Sequence, residues 1–284
     1  MDDVPTKMPW QVRAYDAARR LYDGARRRRL IFGDAAPAVF AGTWLGLLDR
    51  DALHAADDLY YHRARMYHTD SHNLSGLFAW EDGAFERHFQ KCRSLIVTAA
   101  GGGREVIALA RRGLEVHAFE CHPELVEIAN ELLSQQGLRA RVALAPRDDC
   151  PPWIPTCDGA IVGWSSHMLM QQRTSRIRFL QQLRLHMPPG APVLLSFFTR
   201  TEDTRHLRLT AAIANAFRSI RRGPRAEIGD DLIPNFVHYF TEAEIAGELQ
   251  AGGFRLVEFS QDGPHAVAYA VEVEHRPAAG SENP

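Results

Sequence analysis

Three consecutive glycines, Gly101 to Gly103, follow the apolar segment SLIVTAA and stand directly before the helix-like run REVIALAR. Glycine permits a sharp turn and lets a ligand approach the main chain closely. The first N–H groups of a helix have no partner within the helix and attract polar ligand groups. Glu120 ends the next apolar segment, seventeen residues after Gly103, and an acid there accepts from both hydroxyls of a ribose. The pattern predicts a nucleoside or phosphate site; the alternative is a tight turn beside a surface acid.

The elements that position these residues alternate between strand and helix. Seven short segments are apolar and rich in Val, Ile and Phe, as strands buried on both faces are. They are residues 93–99, 114–120, 140–145, 157–164, 191–198, 254–260 and 265–273. Helices between the first five predict a parallel sheet. Only QDGP joins the last two, and so short a link favours an antiparallel hairpin. We expect an α/β, seven-stranded Rossmann-like sheet.

The chain divides into parts of different texture. Residues 1–90 have helical spacing and many aromatic side chains, which predicts a helical cap. Residues 91–275 contain the strands, with an insertion at about 220–240, and the polar tail 276–284 is expected to be disordered.

The composition is that of a globular protein and does not predict binding to nucleic acid or to membranes. Of 284 residues, 45% are hydrophobic and 24% charged, and the net charge of −2 provides no general attraction for nucleic acid. No apolar run is long enough to span a membrane, and four cysteines without CxxC spacing suit free thiols in the cytoplasm. A monomer or homodimer is expected.

Two cofactor classes use a glycine loop and an acid in this way, namely nicotinamide dinucleotides and S-adenosylmethionine. A dinucleotide site favours GxGxxG, whereas Val106 stands at the third glycine position here. The segments LRLHMPPGAPVLLSF and ELQAGGFRLVEF and the closing hairpin add a further pattern. Residues 91–275 resemble the class I S-adenosylmethionine-dependent methyltransferases, so methyl transfer from S-adenosylmethionine is the implied activity.

The resemblance assigns cofactor contacts residue by residue. Gly101 and Gly103 match the last two glycines of the family's GxGxG loop, and Ala99 stands at the first. Val97 stands where the family has an acid, so the usual carboxylate contact to the cofactor's amine is missing. Glu120 matches the acid that binds the ribose.

Further contacts are expected after the third and fourth strands and from an N-terminal lid. Asp148 or Asp149 is placed where the family reads adenine, and Trp164 follows the fourth strand. Residues 60–81 are expected to form the lid, with Tyr67, His68 or Asn73 reaching the cofactor.

The methyl acceptor is expected beyond the fourth strand, beside residues 163–169. His167 is the first candidate base and His238, from the insertion, the second. Ser165, Asn235 and Tyr239 are candidate acceptor contacts. A histidine that merely caps a helix is the alternative for His167.

A metal site is not expected. His62, His68 and His72 share a face only if their segment is helical, and Thr69-Asp70-Ser71 favours a turn. The leading function is methylation of a small molecule at O, N or C. The alternatives are a tRNA or protein methyltransferase and a non-catalytic S-adenosylmethionine-binding protein.

Overall fold

The computed structural model describes residues 8–28, 30, 33, 35–201 and 204–272. The strands are β1 (Ser94–Thr98), β2 (Glu115–Glu120), β3 (Arg141–Leu144), β4 (Gly159–Val162), β5 (Pro192–Ser196), β6 (Phe198–Thr199), β7 (Asp230–Leu232), β8 (Phe236–Phe240), β9 (Phe254–Ser260) and β10 (His265–Ala270). Seven of them form one sheet in the order β3-β2-β1-β4-β5-β10-β9. The predicted seven-stranded α/β sheet is confirmed.

The first five strands run parallel, and β10 is antiparallel to both β5 and β9. This is the closing hairpin that the short QDGP link predicted. The direction of strand addition reverses between β1 and β4, which are neighbours in space although β2 and β3 intervene in the chain. A crevice at the carboxyl ends of two such strands is the usual ligand site of open α/β sheets.

Ten α-helices surround the sheet in the described part of the chain. They are α1 (Trp10–Arg27), α2 (Ala36–Leu47), α3 (Arg50–Arg63), α4 (Asp70–Asn73), α5 (Ala79–His88), α6 (Arg104–Arg111), α7 (Pro123–Gln135), α8 (Arg173–Arg184), α9 (Arg205–Arg221) and α10 (Glu242–Ala251). Short 3₁₀ helices cover Arg65–His68 and His167–Leu169. Along β1, Leu95 and Val97 pack on one face of the sheet and Ile96 on the other. Both faces are therefore covered, as the continuous apolar strands indicated.

The segment between β5 and α10 is longer than the insertion expected at about 220–240. It contains β6, α9 and the strands β7 and β8, and β6-β8-β7 form a second, small sheet. Helix α9 packs along α2, and Leu45 and Leu53 share a core with Leu232 and Phe236. The insertion and the N-terminal helices therefore share one hydrophobic core.

No helix in the described ranges is long and apolar enough to cross a membrane. The tail 276–284, for which disorder was expected, lies outside the described residues.

Candidate functional site

A cleft opens at the carboxyl ends of β1, β2 and β4. Its empty volume is about 900 Å³, including the part that is open to solvent. The central strands contribute the residues that follow their ends, and the N-terminal helices cover them. The lining includes Asp57, Tyr61, Tyr67, His72, Asn73, Thr98, Ala99, Gly101, Gly102, Arg104, Glu105, Glu120, His122, Arg147, Asp148, Asp149, Trp164, Ser166 and Met170.

The glycine loop connects β1 to α6 through left-handed backbone. The φ angles are 48° at Ala99, 52° at Gly101 and 95° at Gly103. Ala99 and Gly101 line the cleft, whereas Gly103 faces α7, where an added Cβ would lie 3.1 Å from the Ala129 Cβ. Gly103 thus serves the turn and helix packing. Gly102 lines the cleft instead, and the sequence reasoning missed it.

Glu120 is buried at the end of β2 and is joined to the glycine loop. Its Oε2 accepts from the Gly101 N–H at 2.8 Å, and Oε1 accepts from the N–H groups of Cys121 at 2.6 Å and His122 at 3.0 Å. A carboxylate offers about four acceptor positions. Three backbone donors therefore fix the group and leave acceptor capacity facing the cleft.

The two aspartates after β3 both line the cleft, with different constraints. Asp148 has a φ of 61°, and its carboxylate lies 3.0 Å from Arg50 Nη2 and 3.3 Å from His54 Nε2. Burial alone would raise the Asp148 pKa, but these two basic neighbours lower it, so the group stays ionised. Asp149 accepts from the Gln182 amide at 3.2 Å and remains partly exposed.

The segment before β1 covers the glycine loop. Tyr67 and Asn73 line the cleft, and the Asn73 amide donates to the Tyr67 carbonyl at 2.9 Å. A side chain at Gly102 would collide with Asn73. Asn73 Oδ1 is buried and has no hydrogen-bond partner in the described part of the chain. His68 faces away and hydrogen-bonds the Tyr61 carbonyl at 3.0 Å.

His167 does not lie in the cleft lining, contrary to the sequence expectation. The residues after β4 turn into a 3₁₀ helix that directs this imidazole into the core, where it is 0% exposed. Its Nε2 lies 3.3 Å from Glu248 Oε2, and its ring stacks on Phe240. Burial lowers the His167 pKa, which favours a neutral ring that donates from Nε2.

His238 is also buried away from the cleft lining. Its Nδ1 lies 2.7 Å from Asp230 Oδ1, because β7 and β8 pair these two residues directly. Both histidines were predicted to lie beside the acceptor, and the structure places neither of them in the lining of the cleft.

The predicted acceptor contacts likewise point elsewhere. The Ser165 N–H donates to Ser196 Oγ at 2.7 Å, with Ser165 φ at 57°. Asn235 donates from its amide to Asp57, and Tyr239 packs against Phe198 with ring centroids 5.4 Å apart. None of the three lines the cleft. For Asn235 and Tyr239 the physical reason is that the insertion packs on the N-terminal helices and on its own strand β6 instead of folding over the strand ends.

The three histidines considered for a metal do not converge. His62 Nδ1 lies 3.0 Å from Glu124 Oε2 and His68 Nδ1 lies 3.6 Å from Glu124 Oε1, whereas His72 lines the cleft. His68 ends a 3₁₀ helix at Arg65–His68, whereas the turn expected at Thr69-Asp70-Ser71 is instead the start of α4, which contains His72.

Sequence reasoning missed a buried cluster at the edge of the glycine loop. Arg104 donates to Glu81 at 2.6 and 2.7 Å and to Glu105 at 2.7 Å, and its guanidinium lies 3.8 Å from the Phe78 ring centroid. The Trp164 N–H donates to Glu105 Oε1 at 3.2 Å. An Arg-Glu pair directly after three glycines was the available signal.

His72 was also missed as a cleft residue with chemistry. Its ring lies 6.2 Å from Trp164 and 5.5 Å from Tyr67, between centroids. Burial lowers the His72 pKa, and the Arg104 charge lowers it further. His72 is therefore a neutral imidazole at the mouth of the cleft, next to Trp164.

Comparison with known proteins identifies the fold. No protein-family model and no curated protein matches the chain. A solved S-adenosylmethionine-dependent methyltransferase from Methanosarcina mazei is 18% identical, with a TM-score of 0.54 over 70% of this chain and 100% of that one. The 1,6-didemethyltoxoflavin N1-methyltransferase of Burkholderia thailandensis, solved with S-adenosylhomocysteine, is 18% identical, with a TM-score of 0.54 over 85% and 93%.

A third solved structure agrees with these two. An amino pentose methyltransferase from Micromonospora echinaspora is 13% identical and covers 75% of this chain and 97% of its own, with a TM-score of 0.52. The chain therefore has the Rossmann-like fold of the class I S-adenosylmethionine-dependent methyltransferases.

Proposed function

We propose that this protein is an enzyme that transfers a methyl group from S-adenosylmethionine to a small-molecule acceptor. The observation that carries the proposal is Glu120, buried at the end of β2 and bonded to the Gly101 N–H at 2.8 Å. That arrangement holds an acid for two ribose hydroxyls beside bare backbone for the rest of the ligand. The solved methyltransferases of the same fold support the choice of cofactor.

The cleft residues fit S-adenosylmethionine from end to end. Glu120 would receive the ribose, and Asp149 or Asp148 would accept from the adenine amine. The unpaired Oδ1 of Asn73, which is 1% exposed, gives the lid a buried acceptor above Gly102. A buried polar atom without a partner is costly, so a ligand group at this position would relieve the cost. When bound, the cofactor supplies an electrophilic methyl group on a sulfonium.

The main contribution of the protein to catalysis would be to align the methyl group with the acceptor atom. In-line displacement gains about 7–11 kcal/mol from holding the reacting atoms in register. Phe78 and Trp164 stand edge to face, with ring centroids 5.0 Å apart, and would exclude water from the reacting end of the cleft. The ring of Trp164, which lines the cleft, can also attract a nearby cation by about 0.5–2 kcal/mol.

His72 takes the role that sequence reasoning assigned to His167. It lines the cleft beside Trp164, and its lowered pKa keeps a ring nitrogen free of a proton near neutral pH. Such a nitrogen can accept the proton of a hydroxyl or ring N–H as the methyl group arrives. An acceptor that is already a good nucleophile would not need it.

A small molecule suits this cleft better than RNA or a protein. The N-terminal helices cover the strand ends, and Tyr61, Tyr67 and Asn73 narrow the access. The solved relatives include enzymes named for toxoflavin precursors and amino pentoses. Residues 1–90 would then act as cap and lid, and 91–275 as the methyltransferase domain. Four free thiols support a reducing compartment such as the cytoplasm.

Titration calorimetry with S-adenosylhomocysteine tests the cofactor. We expect binding by the full chain and a loss of about 1.5–3 kcal/mol in Glu120→Ala, because a charged acceptor is removed. Glu115→Ala is the matched control, since Glu115 begins the same strand at its exposed end. Binding of NAD in its place, or unchanged affinity in Glu120→Ala, would contradict the proposal.

A screen for S-adenosylhomocysteine release tests the acceptor class. Amines, phenols, sugars and heteroaromatic N–H compounds would be compared with bulk tRNA and with a protein extract. Turnover confined to tRNA or protein would overturn the small-molecule assignment. Binding without turnover on any of them would favour the non-catalytic alternative.

A further inference from the structure

The cleft has an unusual distribution of acids at its glycine-loop end. Val97, where related proteins place a carboxylate, is 0% exposed and packs in the core of the sheet. A ligand ammonium at this end would therefore find no acid on β1. Resting on the function proposed above, we infer that Glu105 receives the α-ammonium group of the methionine part of the cofactor.

One oxygen of Glu105 is free for this contact. Oε1 accepts from Arg104 at 2.7 Å and from the Trp164 N–H at 3.2 Å. Within the described residues Oε2 has no hydrogen-bond partner, although the residue is only 4% exposed and lines the cleft. An unpaired carboxylate oxygen on a residue that lines a ligand cleft is a ready acceptor for an ammonium N–H.

The charge of the surrounding cluster favours a cation. Arg104 contributes one positive charge, and Glu81 and Glu105 contribute two carboxylates, all at most 6% exposed in their side chains. Burying unbalanced charge is costly unless it is compensated. Glu81 does not line the cleft, so a cation that enters can reach the cluster only through Glu105.

The other acids of the cleft lie elsewhere along it or are held by partners within the chain. Asp149, which accepts from Gln182, follows β3 at the far end from the loop after β4. Glu120 accepts from three backbone N–H groups, and Asp57 is held by Arg147 and by Asn235. Asp148 pairs with two basic side chains, as described above.

Topology places Glu105 at the correct end of the ligand. Glu120 follows β2, whereas Glu105 is bonded to the loop after β4, and β1 lies between these strands. A ligand that places its ribose at Glu120 and crosses the glycine loop arrives at Glu105 with its opposite end. In S-adenosylmethionine that end is the amino acid.

Calorimetry with two ligands tests the inference on the full chain. S-adenosylhomocysteine has the amino acid group, and 5′-methylthioadenosine has the same nucleoside and thioether without it. Glu105→Gln keeps an oxygen for the Trp164 N–H but loses the charge. We expect the affinity for S-adenosylhomocysteine to fall about 10–150-fold, the range of one charged hydrogen bond, while that for 5′-methylthioadenosine stays within about twofold.

Glu86→Gln is the matched control, because Glu86 is an exposed carboxylate on α5 that lies outside both the cleft lining and the Arg104 cluster. Both affinities should stay close to those of the unsubstituted chain. An equal loss for both ligands in Glu105→Gln, or no loss for either, would overturn the inference. Failure of the unsubstituted chain to bind S-adenosylhomocysteine would instead refute the proposed function.

A second measurement needs no substitution. The deaminated analogue S-adenosyl-4-thiobutanoate should bind the unsubstituted chain about 10–150-fold more weakly than S-adenosylhomocysteine. Equal affinities would show that the ammonium group makes no favourable contact, and would contradict the inference even if Glu105→Gln failed to fold.

Discussion

The molecule contains two buried arginine clusters of nearly the same composition. In the cleft cluster, Arg104 binds Glu81 and Glu105 and lies over Phe78, 3.8 Å from the ring centroid. His72 lies nearby, with its ring centroid 6.4 Å from that of Phe78.

The core cluster repeats this set of residue types. Arg176 donates to Glu248 at 2.8 Å and to Glu227 at 2.8 Å and lies over Phe240, 5.1 Å from the ring centroid. His167 completes it through Glu248. The two clusters contact different ends of the loop after β4. Trp164 of this loop donates to Glu105 in the cleft cluster, and His167 hydrogen-bonds Glu248 in the core cluster.

The two clusters differ in whether a carboxylate oxygen is left without a hydrogen-bond partner. Glu248 uses both oxygens, accepting from Arg176 on each and from His167 on Oε2. Glu105 keeps Oε2 without a partner in the described part of the chain and faces the cleft. Two clusters of the same residue types therefore differ in one property, a carboxylate oxygen that is unpaired on a residue lining the cleft, and our proposal for Glu105 rests on that difference.

The largest expected contrast is catalytic and separates the two histidines. With a phenol or ring N–H acceptor found by the screen, His72→Ala should lower kcat by about 10²–10⁴, the usual contribution of a general base. His167→Ala should leave kcat of the folded protein nearly unchanged, because its ring does not reach the cleft.

The pH profile provides a second readout for His72. The neutral imidazole is the active form, so kcat/KM should fall as the pH drops through a pKa below the ordinary value of about 6.5. That acid limb should vanish in His72→Ala. A loss of kcat in His167→Ala with His72→Ala unaffected would reverse the assignment of the two clusters.

The next contrast concerns stability and separates the two glutamates. Glu248→Ala should lower the free energy of unfolding by about 3–5 kcal/mol, because the buried Arg176 charge would keep only the partly exposed Glu227 as a partner and the His167 ring would lose its acceptor. Glu105→Gln should cost less, since Arg104 keeps two bonds to Glu81. Urea unfolding measures both.

Glu242→Ala is the matched control on α10, where Glu242 is an exposed carboxylate in the first turn of the same helix. It should cost no more than about 1 kcal/mol. A loss in Glu248→Ala that does not exceed this control would mean that the core cluster contributes little to stability.

The fold could be predicted because its signals are local in the chain. The strands are continuous apolar runs, and the glycine loop and Glu120 lie within twenty residues of each other. Their relation follows from one β-α-β unit, whose handedness and pairing are nearly fixed. Val97 was correctly recognised as lacking a carboxylate, but its replacement could not be inferred without the loop after β4.

The acceptor side could not be predicted because it depends on side-chain direction and long-range pairing. His167 and Glu248 are 81 residues apart, and a single turn after β4 decides whether the imidazole enters the cleft or the core. The insertion packs on the N-terminal helices through contacts such as Asn235 with Asp57, 178 residues apart. Contacts between residues so far apart in the chain produce no local sequence pattern from which they could be predicted.

The smallest expected effect is a difference in the pH dependence of stability. Burial alone would raise the Glu248 pKa, but hydrogen bonds from His167 and Arg176 outweigh it and lower the pKa to about 2. Burial lowers the His167 pKa. Glu81 behaves oppositely, because burial raises its pKa and the Glu105 charge adds to the rise. Lowering the pH should therefore remove the contribution of Glu248 to the free energy of unfolding. Glu81 has the opposite effect, because its ionisation as the pH rises lowers the free energy of unfolding.

For His167 the sign follows from proton binding. Below the ordinary histidine pKa of about 6.5 the unfolded chain binds a proton that the folded core excludes. The free energy of unfolding therefore decreases as the pH is lowered, by at most about 1.4 kcal/mol per pH unit. Protonation would place a charge on a ring whose Nδ1 is buried without a partner in the described residues. His167→Gln should flatten the fall in urea midpoint between about pH 6.5 and 5, above the range where Glu248 loses its contribution. His186→Gln leaves the buried pair intact and should retain the slope. An equal slope in both variants would show that His167 is not the group that excludes the proton.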